Sequence, residues 1–251
     1  MIFVPSADAP PRTRLTVDGP TAAGKTTLGY GVAQSWASRG GGETFLLDTG
    51  MTYRAAGLAL SRTPGLTPDE FRDGLLHLPA LFTGPDTEPI DPLMMIWRDG
   101  DVTHDLRSVG LEHCLRHVAG NDAWRAEILS MHAHMADALS WANLVVVGRD
   151  TAITLMPTPN VAVYLTAELD TRRTRRSTQY AGIPNVSTSV GPETELDLKV
   201  RGALGARSWA IDIDSTHMTA AQVLTRAQDA LAHAGKAAEQ DAPGVVPSGW
   251  G

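Results

Sequence analysis

The sequence predicts an α/β fold in which a five-stranded parallel sheet is flanked by helices. Short apolar runs of β-favouring residues alternate along the chain with longer amphipathic stretches, which is the βαβ pattern of a parallel sheet. A glycine-rich octet at residues 19–26 stands between the first apolar run and the first helical stretch. The chain has 251 residues, of which 43% are hydrophobic, and is long enough to bury one sizeable core.

The elements follow from this alternation in chain order. The strands are predicted at residues 15–17, 44–48, 143–147, 160–165 and 209–213. The helices are predicted at residues 26–38, 52–61, 112–118, 123–139, 168–179 and 219–232, with Thr216 and Thr219 as capping candidates for the last. A core at residues 13–65 and 121–234 accounts for these elements, except for the helix at residues 112–118.

Two segments break the alternation, and each is long enough to be a functional insertion. Residues 66–120 are rich in Pro, Gly and Asp, and residues 181–207 are polar with little apolar periodicity. We expect residues 1–12 to be flexible. Residues 235–251 are rich in Gly, Ala and Pro, a composition that predicts a disordered tail.

Charge and cysteine content limit the class of protein. The net charge is −7 and the isoelectric point is near 5.6, which argue against a nucleic-acid-binding face but allow a local basic pocket. The single cysteine, Cys114, excludes an internal disulfide and fits a reducing compartment. The first residues carry prolines and aspartate where a signal peptide needs an apolar run, and no stretch approaches 18 apolar residues. We expect a cytoplasmic monomer that binds small molecules and neither nucleic acid nor membrane.

The octet GPTAAGKT has the pattern G-x-x-x-x-G-K-[ST], which is typical of a P-loop when it lies between a strand and a helix. Its backbone N–H groups would cradle a β-phosphate, Lys25 would bridge the β- and γ-phosphates, and Thr26 would ligate Mg²⁺. A glycine-rich turn without a ligand is the alternative. The predicted nucleotide-binding residues are Gly19, Ala22, Ala23, Gly24, Lys25, Thr26 and Thr27.

Five ordered blocks carry a wider similarity. They read VDGPTAAGKTTL, LDTGMTYRAAGLAL, DGDVTHDLRS, VVVGRDTAITLMPTPNVAVYLTA and RRTRR. Their order and spacing resemble those of the bacterial cytidylate kinases, whose blocks read like DGPxxSGKxT, DTGxMYRA, GEDVTxxIR, DGRDxGTxxFPxAxxKxFLTA and RxxRR. The resemblance runs from about residue 15 to residue 224, and it implies a P-loop NTPase-type sheet with an acceptor-binding insertion and a lid.

The resemblance implies phosphoryl transfer from ATP and Mg²⁺ to CMP, dCMP or a modified pyrimidine nucleoside monophosphate. Residues 66–120 would clasp this acceptor, and residues 177–207 would close as the lid. Arg54 and Arg149 match positions that grip the acceptor phosphate, for which a planar guanidinium fork is suited. Arg125 and Asp150 match positions that bind the cytosine edge. The implied acceptor-binding residues are Asp48, Tyr53, Arg54, Arg125, Arg149, Asp150 and Arg201.

The resemblance also implies a catalytic set made largely of arginines, since phosphoryl transfer depends on positioning and charge neutralisation. Arg175 would face the triphosphate beside two members of this set. A solvated helix face remains the alternative for each arginine. The implied catalytic residues are Lys25, Arg149, Arg172, Arg176 and Arg207.

The chain departs from the family pattern around the sugar. Where the family has R-D-x-x-D-x-x-R, the chain reads RGALGAR from Arg201 to Arg207, so Gly202 and Gly205 replace both aspartates. Arg116 aligns with a serine that would normally contact the sugar hydroxyls. A P-L-x-x-A-x-D-A stretch that helps shape the adenine site is missing, Val147 replaces the aspartate before GRD, and Ala152 and Ile153 replace the glycine and threonine after it. The acceptor site is therefore predicted to be reshaped around a preserved phosphate site.

Two other functions remain open at this point. The first is a kinase that kept the phosphate site and now phosphorylates a non-nucleotide acceptor. The second is a catalytically inactive nucleotide-binding protein, against which the presence of Lys25, Thr26, Arg54 and Arg149 argues.

Two further groups of residues receive a structural interpretation. His113, Cys114 and His117 have a zinc-like spacing but no second ligand pair, so we expect a polar helix face. The tryptophans are expected in the core, with Trp124 a candidate for the acceptor pocket; they are Trp97, Trp124, Trp141 and Trp209.

Overall fold

The computed structural model describes residues 12–40, 42–84, 93–156, 159–205, 207 and 209–240. Most of the N-terminus that we predicted to be flexible therefore lies outside the described residues, as does residue 241 onward. In the described part of the chain, no helix combines the length and apolar character needed to cross a membrane.

Nine strands are found among the described residues. They are β1 (Arg14–Asp18), β2 (Thr44–Asp48), β3 (Leu75–Leu78), β4 (Ala80–Phe82), β5 (Met94–Trp97), β6 (Gly100–Asp101), β7 (Asn143–Val147), β8 (Val161–Thr166) and β9 (Ala210–Asp214).

Helices connect and cover these strands. They are α1 (Lys25–Ser38), α2 (Thr49–Arg62), α3 (Pro68–Gly74), α4 (Glu112–Gly120), α5 (Asp122–Ala138), α6 (Thr151–Thr154), α7 (Leu169–Gln179), α8 (Glu195–Gly205) and α9 (Ala220–Gln240), with a 3₁₀ helix at Thr103–Arg107.

The central sheet has six strands in the order β4-β2-β7-β1-β8-β9. The five predicted parallel strands are confirmed, because β2, β7, β1, β8 and β9 pair in parallel. The sixth strand, β4, pairs antiparallel with β2 at the edge and comes from the segment between residues 66 and 120. The same segment contains a small antiparallel sheet in the order β3-β5-β6.

Four hydrophobic clusters lie among the described residues. The largest packs α1 and α9 against one face of the central sheet, and two smaller clusters cover the other face. The second largest joins α2 and α5 to residues 66–120, where Phe71 stacks on Trp97 at 5.3 Å between ring centroids and lies 5.5 Å from Trp124. Trp124 is only 3% exposed, and its side chain therefore packs in this core rather than in a pocket.

The C-terminal helix is longer than predicted. Helix α9 runs from Ala220 to Gln240, so residues 235–240, which we assigned to a disordered tail, are helical. The composition of this stretch explains the difference, because it holds Ala, Lys, Glu and Gln, which favour helices strongly.

Candidate nucleotide-binding site

The glycine-rich octet forms a tight loop between β1 and α1, at the carboxyl end of the sheet. Gly19 has a φ of +142°, and a Cβ atom there would lie 2.1 Å from the carbonyl oxygen of Leu165. Gly24 has a φ of +102° and caps the N-terminus of α1, while Ala22 between them has a φ of +65°. This backbone turns its N–H groups toward one point at a helix N-terminus, which is the arrangement that binds phosphate.

Two side chains of the loop motif lie where a triphosphate and its metal would meet. The Lys25 ammonium donates a hydrogen bond of 2.7 Å to the carbonyl oxygen of Pro20. The Thr26 hydroxyl donates to Asp48 Oδ2 at 2.9 Å. Asp48 Oδ1 accepts from the backbone N–H of Gly50 at 3.1 Å, so this carboxylate also caps α2. Thr26 and Asp48 thus bring two hard oxygen donors together beside the loop.

Burial and, to a lesser extent, the nearby charge of Arg149 lower the pKa of Lys25 to about 8, against the opposing effect of Asp48. A lysine held in this way gains its full charge most readily when an anion binds beside it.

A buried carboxylate fixes the other side of the site. Asp18, at the end of β1, accepts hydrogen bonds from the backbone N–H and hydroxyl of Thr151 at 2.9 and 2.8 Å, and from the N–H of Ala152 at 2.9 Å. Burial raises its pKa to about 6. These bonds tie the first turn of α6 to β1, and they position the two residues before it, Arg149 and Asp150.

Arg149 and Asp150 have different neighbours. Arg149 donates to the hydroxyl of Thr21 at 2.7 Å, and its other terminal nitrogen lies 3.5 Å from Asp197 Oδ2 in α8. Asp150 Oδ2 forms an ion pair with Arg125 of α5 at 3.4 Å. The pair implied to bind cytosine is therefore assembled, and Arg149 lies between the P-loop and α8.

A cluster of arginines surrounds Tyr180. The ring of Tyr180 has the guanidinium of Arg176 at 5.3 Å and that of Arg107 at 5.7 Å from its centroid. Arg176 also donates to the Tyr180 hydroxyl at 3.2 Å. Burial and, to a lesser extent, the charges of Arg107 and Arg176 lower the pKa of Arg54 to about 10. Three positively charged guanidinium groups, those of Arg54, Arg107 and Arg176, therefore repel one another near Tyr180.

The segment after α7 is joined to residues 66–120 by backbone hydrogen bonds. The N–H of Ser187 donates to the carbonyl oxygen of Arg107, and the N–H of Val109 donates to that of Asn185, both at 2.9 Å. Ser108 and Val186 form an isolated antiparallel bridge between these bonds. The two inserted segments therefore meet beside the arginine cluster.

These elements enclose a cavity of about 810 Å³. Among the described residues that line it, eight are lysine or arginine and two are aspartate. The sequence-predicted site residues in its wall are Ala22, Ala23, Gly24, Lys25, Thr26, Thr27, Asp48, Tyr53, Arg54, Arg125, Arg149, Asp150, Arg175 and Arg176. Gly19 shapes the loop without lining the cavity. An acidic protein thus carries a strongly basic cavity, which suits anionic ligands.

Three predicted arginines are not brought to the cavity wall. Arg172 is 2% exposed and donates to the carbonyl oxygen of Thr21 in the P-loop at 3.2 Å. It also donates to the carbonyl oxygens of Ala167 and Gly191, both at 3.0 Å, and so supports the P-loop from the side away from the cavity. The other two are Arg201 and Arg207.

Arg201 forms an ion pair with Asp212 at 2.5 Å, on β9. Arg207 lies over the ring of Trp209 at 5.9 Å. Arg175 lines the cavity but donates to the hydroxyl and carbonyl oxygens of Ser215 at 2.9 and 2.6 Å.

Sequence reasoning missed three residues of this site. Arg107 had a signal, since it belongs to the DGDVTHDLRS block, but it was given no role. Tyr180 had none. Asp197 accepts from the N–H and hydroxyl of Thr194, both at 2.8 Å, and this T-x-x-D pattern is a helix-start signal that could have located α8.

The zinc-like group on α4 gains no support from its surroundings. Within the described ranges, no three His, Cys, Asp or Glu side chains are grouped so that they could hold a metal ion. His113 and His117 are exposed on α4, and Cys114 is half-buried.

Comparisons with known proteins identify the family of the chain. The model of the cytidylate kinase family matches residues 15–233. A cytidylate kinase from Pseudomonas fluorescens (strain SBW25) is 31% identical over 230 residues, covering 87% of this chain and 94% of that protein. One from Mycolicibacterium paratuberculosis (strain ATCC BAA-968 / K-10) is 28% identical over 222 residues, covering 86% and 93%.

Among solved structures, a gluconokinase from Sinorhizobium meliloti 1021 covers 92% of this chain and 98% of its own, with 15% identity and a TM-score of 0.45. The matches to the family model and to the curated relatives assign the chain to a family. It is a nucleoside monophosphate kinase, and it belongs to the cytidylate kinase family as a divergent member.

Proposed function

We propose that this enzyme transfers the γ-phosphoryl group of ATP to the 5′-phosphate of CMP, dCMP or a modified cytidine monophosphate. The observation that carries the proposal is the Arg125–Asp150 pair, which lines the same cavity as the P-loop and as Arg54 and Arg149. A base-binding pair, a phosphate-binding pair and a triphosphate loop in one cavity are the parts that this reaction needs.

At the donor end, the loop around Gly24 would hold the β-phosphate, and Lys25 would reach the γ-phosphate. The Thr26 hydroxyl and the Asp48 carboxylate fit Mg²⁺, because Mg²⁺ takes oxygen ligands and these two are already 2.9 Å apart. Bound there, Mg²⁺ would neutralise phosphate charge.

Arg149 would act between the two nucleotides. Its bonds to Thr21 and Asp197 hold the guanidinium between the P-loop and α8. Arg149 therefore needs little movement when negative charge develops on the phosphoryl group. Arg54 would grip the acceptor phosphate from α2. Binding that phosphate would also relieve the repulsion that Arg54 experiences from Arg107.

The base would be selected by Arg125 and Asp150. Asp150 can accept a hydrogen bond from the exocyclic amine of cytosine, and Arg125 can donate to the ring carbonyl. Uracil presents a carbonyl where cytosine has the amine, so it would place two acceptors together. A site built to bind one such group rejects the unmatched base strongly.

The sugar, in contrast, would be selected weakly. Gly205 is exposed, and a Cβ there would meet nothing within 4 Å, so this position offers no acceptor to a ribose hydroxyl. We expect a kcat/KM ratio of CMP to dCMP near one. A ratio above about 10³, the scale of a dedicated hydroxyl-binding site, would show that another residue makes the contact.

The test is a panel in which ATP and GTP are paired with CMP, dCMP, UMP and modified cytidine monophosphates while nucleoside diphosphate release is measured. We expect CMP and dCMP to react, and UMP to be slower by about 10²-fold or more. The Asp150→Asn variant should lose this preference, because an amide can donate to the uracil carbonyl. Equal use of UMP by the unaltered enzyme, or no turnover of any nucleotide, would contradict the proposal.

A further inference from the structure

Two arginines at the acceptor end of the cavity are assigned no group of the proposed acceptor to bind. Arg107 and Arg116 both come from residues 66–120, and both line the cavity. The proposed acceptor nucleotide already has Arg54 and Arg149 for its phosphate and Arg125 for its base.

The position of Arg116 is set by the packing of α4 on α2. Helix α4 turns Leu115, Arg116 and Ala119 toward the cavity. Gly57 of α2 permits this approach, because a Cβ there would lie 3.2 Å from the backbone nitrogen of Leu115. Gly57 lies three residues after Arg54, on the same side of α2. Arg116 is therefore carried by α4, which packs against α2, the helix that carries Arg54.

The charges at this end of the cavity do not balance with a simple monophosphate. Asp150 pairs with Arg125, and Asp197 lies 3.5 Å from Arg149, whereas Arg54 forms no ion pair among the described residues and is left to the acceptor phosphate. Arg107 stacks on Tyr180, but no acidic side chain is seen in contact with it among the described residues. Glu112 is one turn before Arg116, and one of its oxygens accepts from the N–H of Gly110 at 3.0 Å at the start of α4. Glu112 still attracts Arg116, but neither Arg107 nor Arg116 forms an ion pair among the described residues, so an anion could join both guanidinium groups.

We propose that Arg116, together with Arg107, forms a second anion subsite for a negatively charged substituent on the sugar of the acceptor. This inference rests on the proposed function. The acceptor would then be a cytidine 5′-monophosphate that carries a second phosphate or a carboxylate. The sequence points the same way, since the resemblance to the family aligns Arg116, which lines the cavity, with a serine, and this change adds one unit of positive charge to the cavity.

The probes are CMP, cytidine 2′,5′-bisphosphate, cytidine 3′,5′-bisphosphate and 2′-O-succinyl-CMP, with ATP as the donor. Both kcat/KM and the dissociation constant by calorimetry are measured for each probe. We expect at least one probe that carries a second anionic group to exceed CMP by about tenfold in affinity and in kcat/KM, which is the scale of one added charge-assisted contact. The bisphosphates and the succinyl ester distinguish a phosphate from a carboxylate.

Two variants locate the effect. Arg116→Ser should reduce the ratio of the preferred probe to CMP to near one. His117→Ser is the matched control, because His117 is the exposed next residue of α4 and does not line the cavity, and it should keep the ratio. If CMP is used as well as every other probe, or if Arg116→Ser keeps the preference, the subsite is wrong while the proposed function stands. If no cytidine nucleotide binds or reacts, the proposed function fails, and this inference fails with it.

Discussion

At the scale of single residues, Arg149 shows how the site is held ready before substrates bind. It donates to Thr21 in the P-loop and lies 3.5 Å from Asp197 in α8. Asp197 is fully buried, and its other carboxylate oxygen, Oδ1, has no hydrogen-bond partner among the described residues. Such fixed charges stabilise a developing negative charge without reorganisation.

Replacing Arg149 tests its part in acceptor binding. We expect Arg149→Ala to weaken acceptor binding by about 2–5 kcal/mol, because a charged contact in the cavity is lost, and to leave ATP affinity nearly unchanged. Calorimetric titration with CMP and with ATP measures both.

Arg201→Ala is the matched control, because its ion pair with Asp212 is exposed and lies outside the cavity wall. We expect it to change acceptor affinity by less than about 1 kcal/mol. Unchanged CMP affinity in Arg149→Ala would contradict the assignment and favour an acceptor without a phosphate.

The position of a side chain could be predicted from sequence where the local backbone fixes it. It could not be predicted where a long side chain can reach several alternative partners. Lys25 and Thr26 lie in the cavity as predicted, since a loop of consecutive residues positions them. Arg172 and Arg201 do not, because carbonyl oxygens and a carboxylate from elements distant in sequence bind them instead. The catalytic roles of all these residues stay predictions.

At the scale of elements, a buried polar cluster joins the helix that carries Arg54 to residues 66–120. The Thr52 hydroxyl of α2 lies 3.0 Å from Nδ1 of His77 in β3 and 2.8 Å from Nε2 of His132 in α5. A hydroxyl has one proton, so at most one imidazole can accept from it and at least one must donate to it. Burial lowers the pKa of His77 to about 4 and that of His132 to about 3.

This cluster predicts a loss of stability in acid. Between the unfolded pKa of about 6.5 and these folded values, the unfolded chain binds more protons, so the free energy of unfolding falls as the pH falls. Asp18 acts oppositely between about pH 6 and 4, because its folded pKa is raised to about 6. From these three groups we expect a net loss of about 1.4 kcal/mol per pH unit, equivalent to one proton.

Urea unfolding at pH 6 and pH 5 measures this slope. In His132→Gln only His77 and Asp18 remain of the three groups, and their effects on the free energy of unfolding oppose each other. The loss of stability per pH unit should therefore be about 1.4 kcal/mol smaller than in the unaltered protein. His134→Gln, on the exposed side of the same helix, is the control, and the other titrating groups are common to both variants. An unaltered slope in His132→Gln would show that this histidine does not titrate with unfolding.

The long periodic elements could be predicted from sequence, and the short ones could not. Each predicted parallel strand is present, displaced by one residue at most or lengthened at its ends, since buried strands are continuous apolar runs. Strands β3 to β6 have two to four residues and are stabilised by pairing with one another or with β2. Helices α3 and α8 have helix-start signals in the sequence, Thr67 with Glu70 and Thr194 with Asp197. The polar composition of both segments led us to predict no helix there.

At the scale of the whole molecule, the site lies where three parts of the chain meet. The carboxyl ends of the parallel strands supply the P-loop, Asp48 and Arg149, and this edge is where open α/β sheets bind ligands. Residues 66–120 supply Arg107, and they are hydrogen-bonded to the segment before α8. We expect these two segments to act as the acceptor clasp and the lid, enclosing the phosphates away from water.

The most direct test of this account is the rate at which the enzyme converts CMP and ATP into CDP and ADP, compared with that of Lys25→Ala. Removing the ammonium beside the transferring group should lower kcat by roughly 10³-fold or more. Arg39→Ala, at the exposed end of α1, is the control and should keep the wild-type rate. Equal amounts of CDP and ADP from the unaltered enzyme, with this loss in Lys25→Ala, are the predicted result. Normal turnover by Lys25→Ala, or ADP released without CDP, would contradict phosphoryl transfer from the P-loop to the cytidine nucleotide.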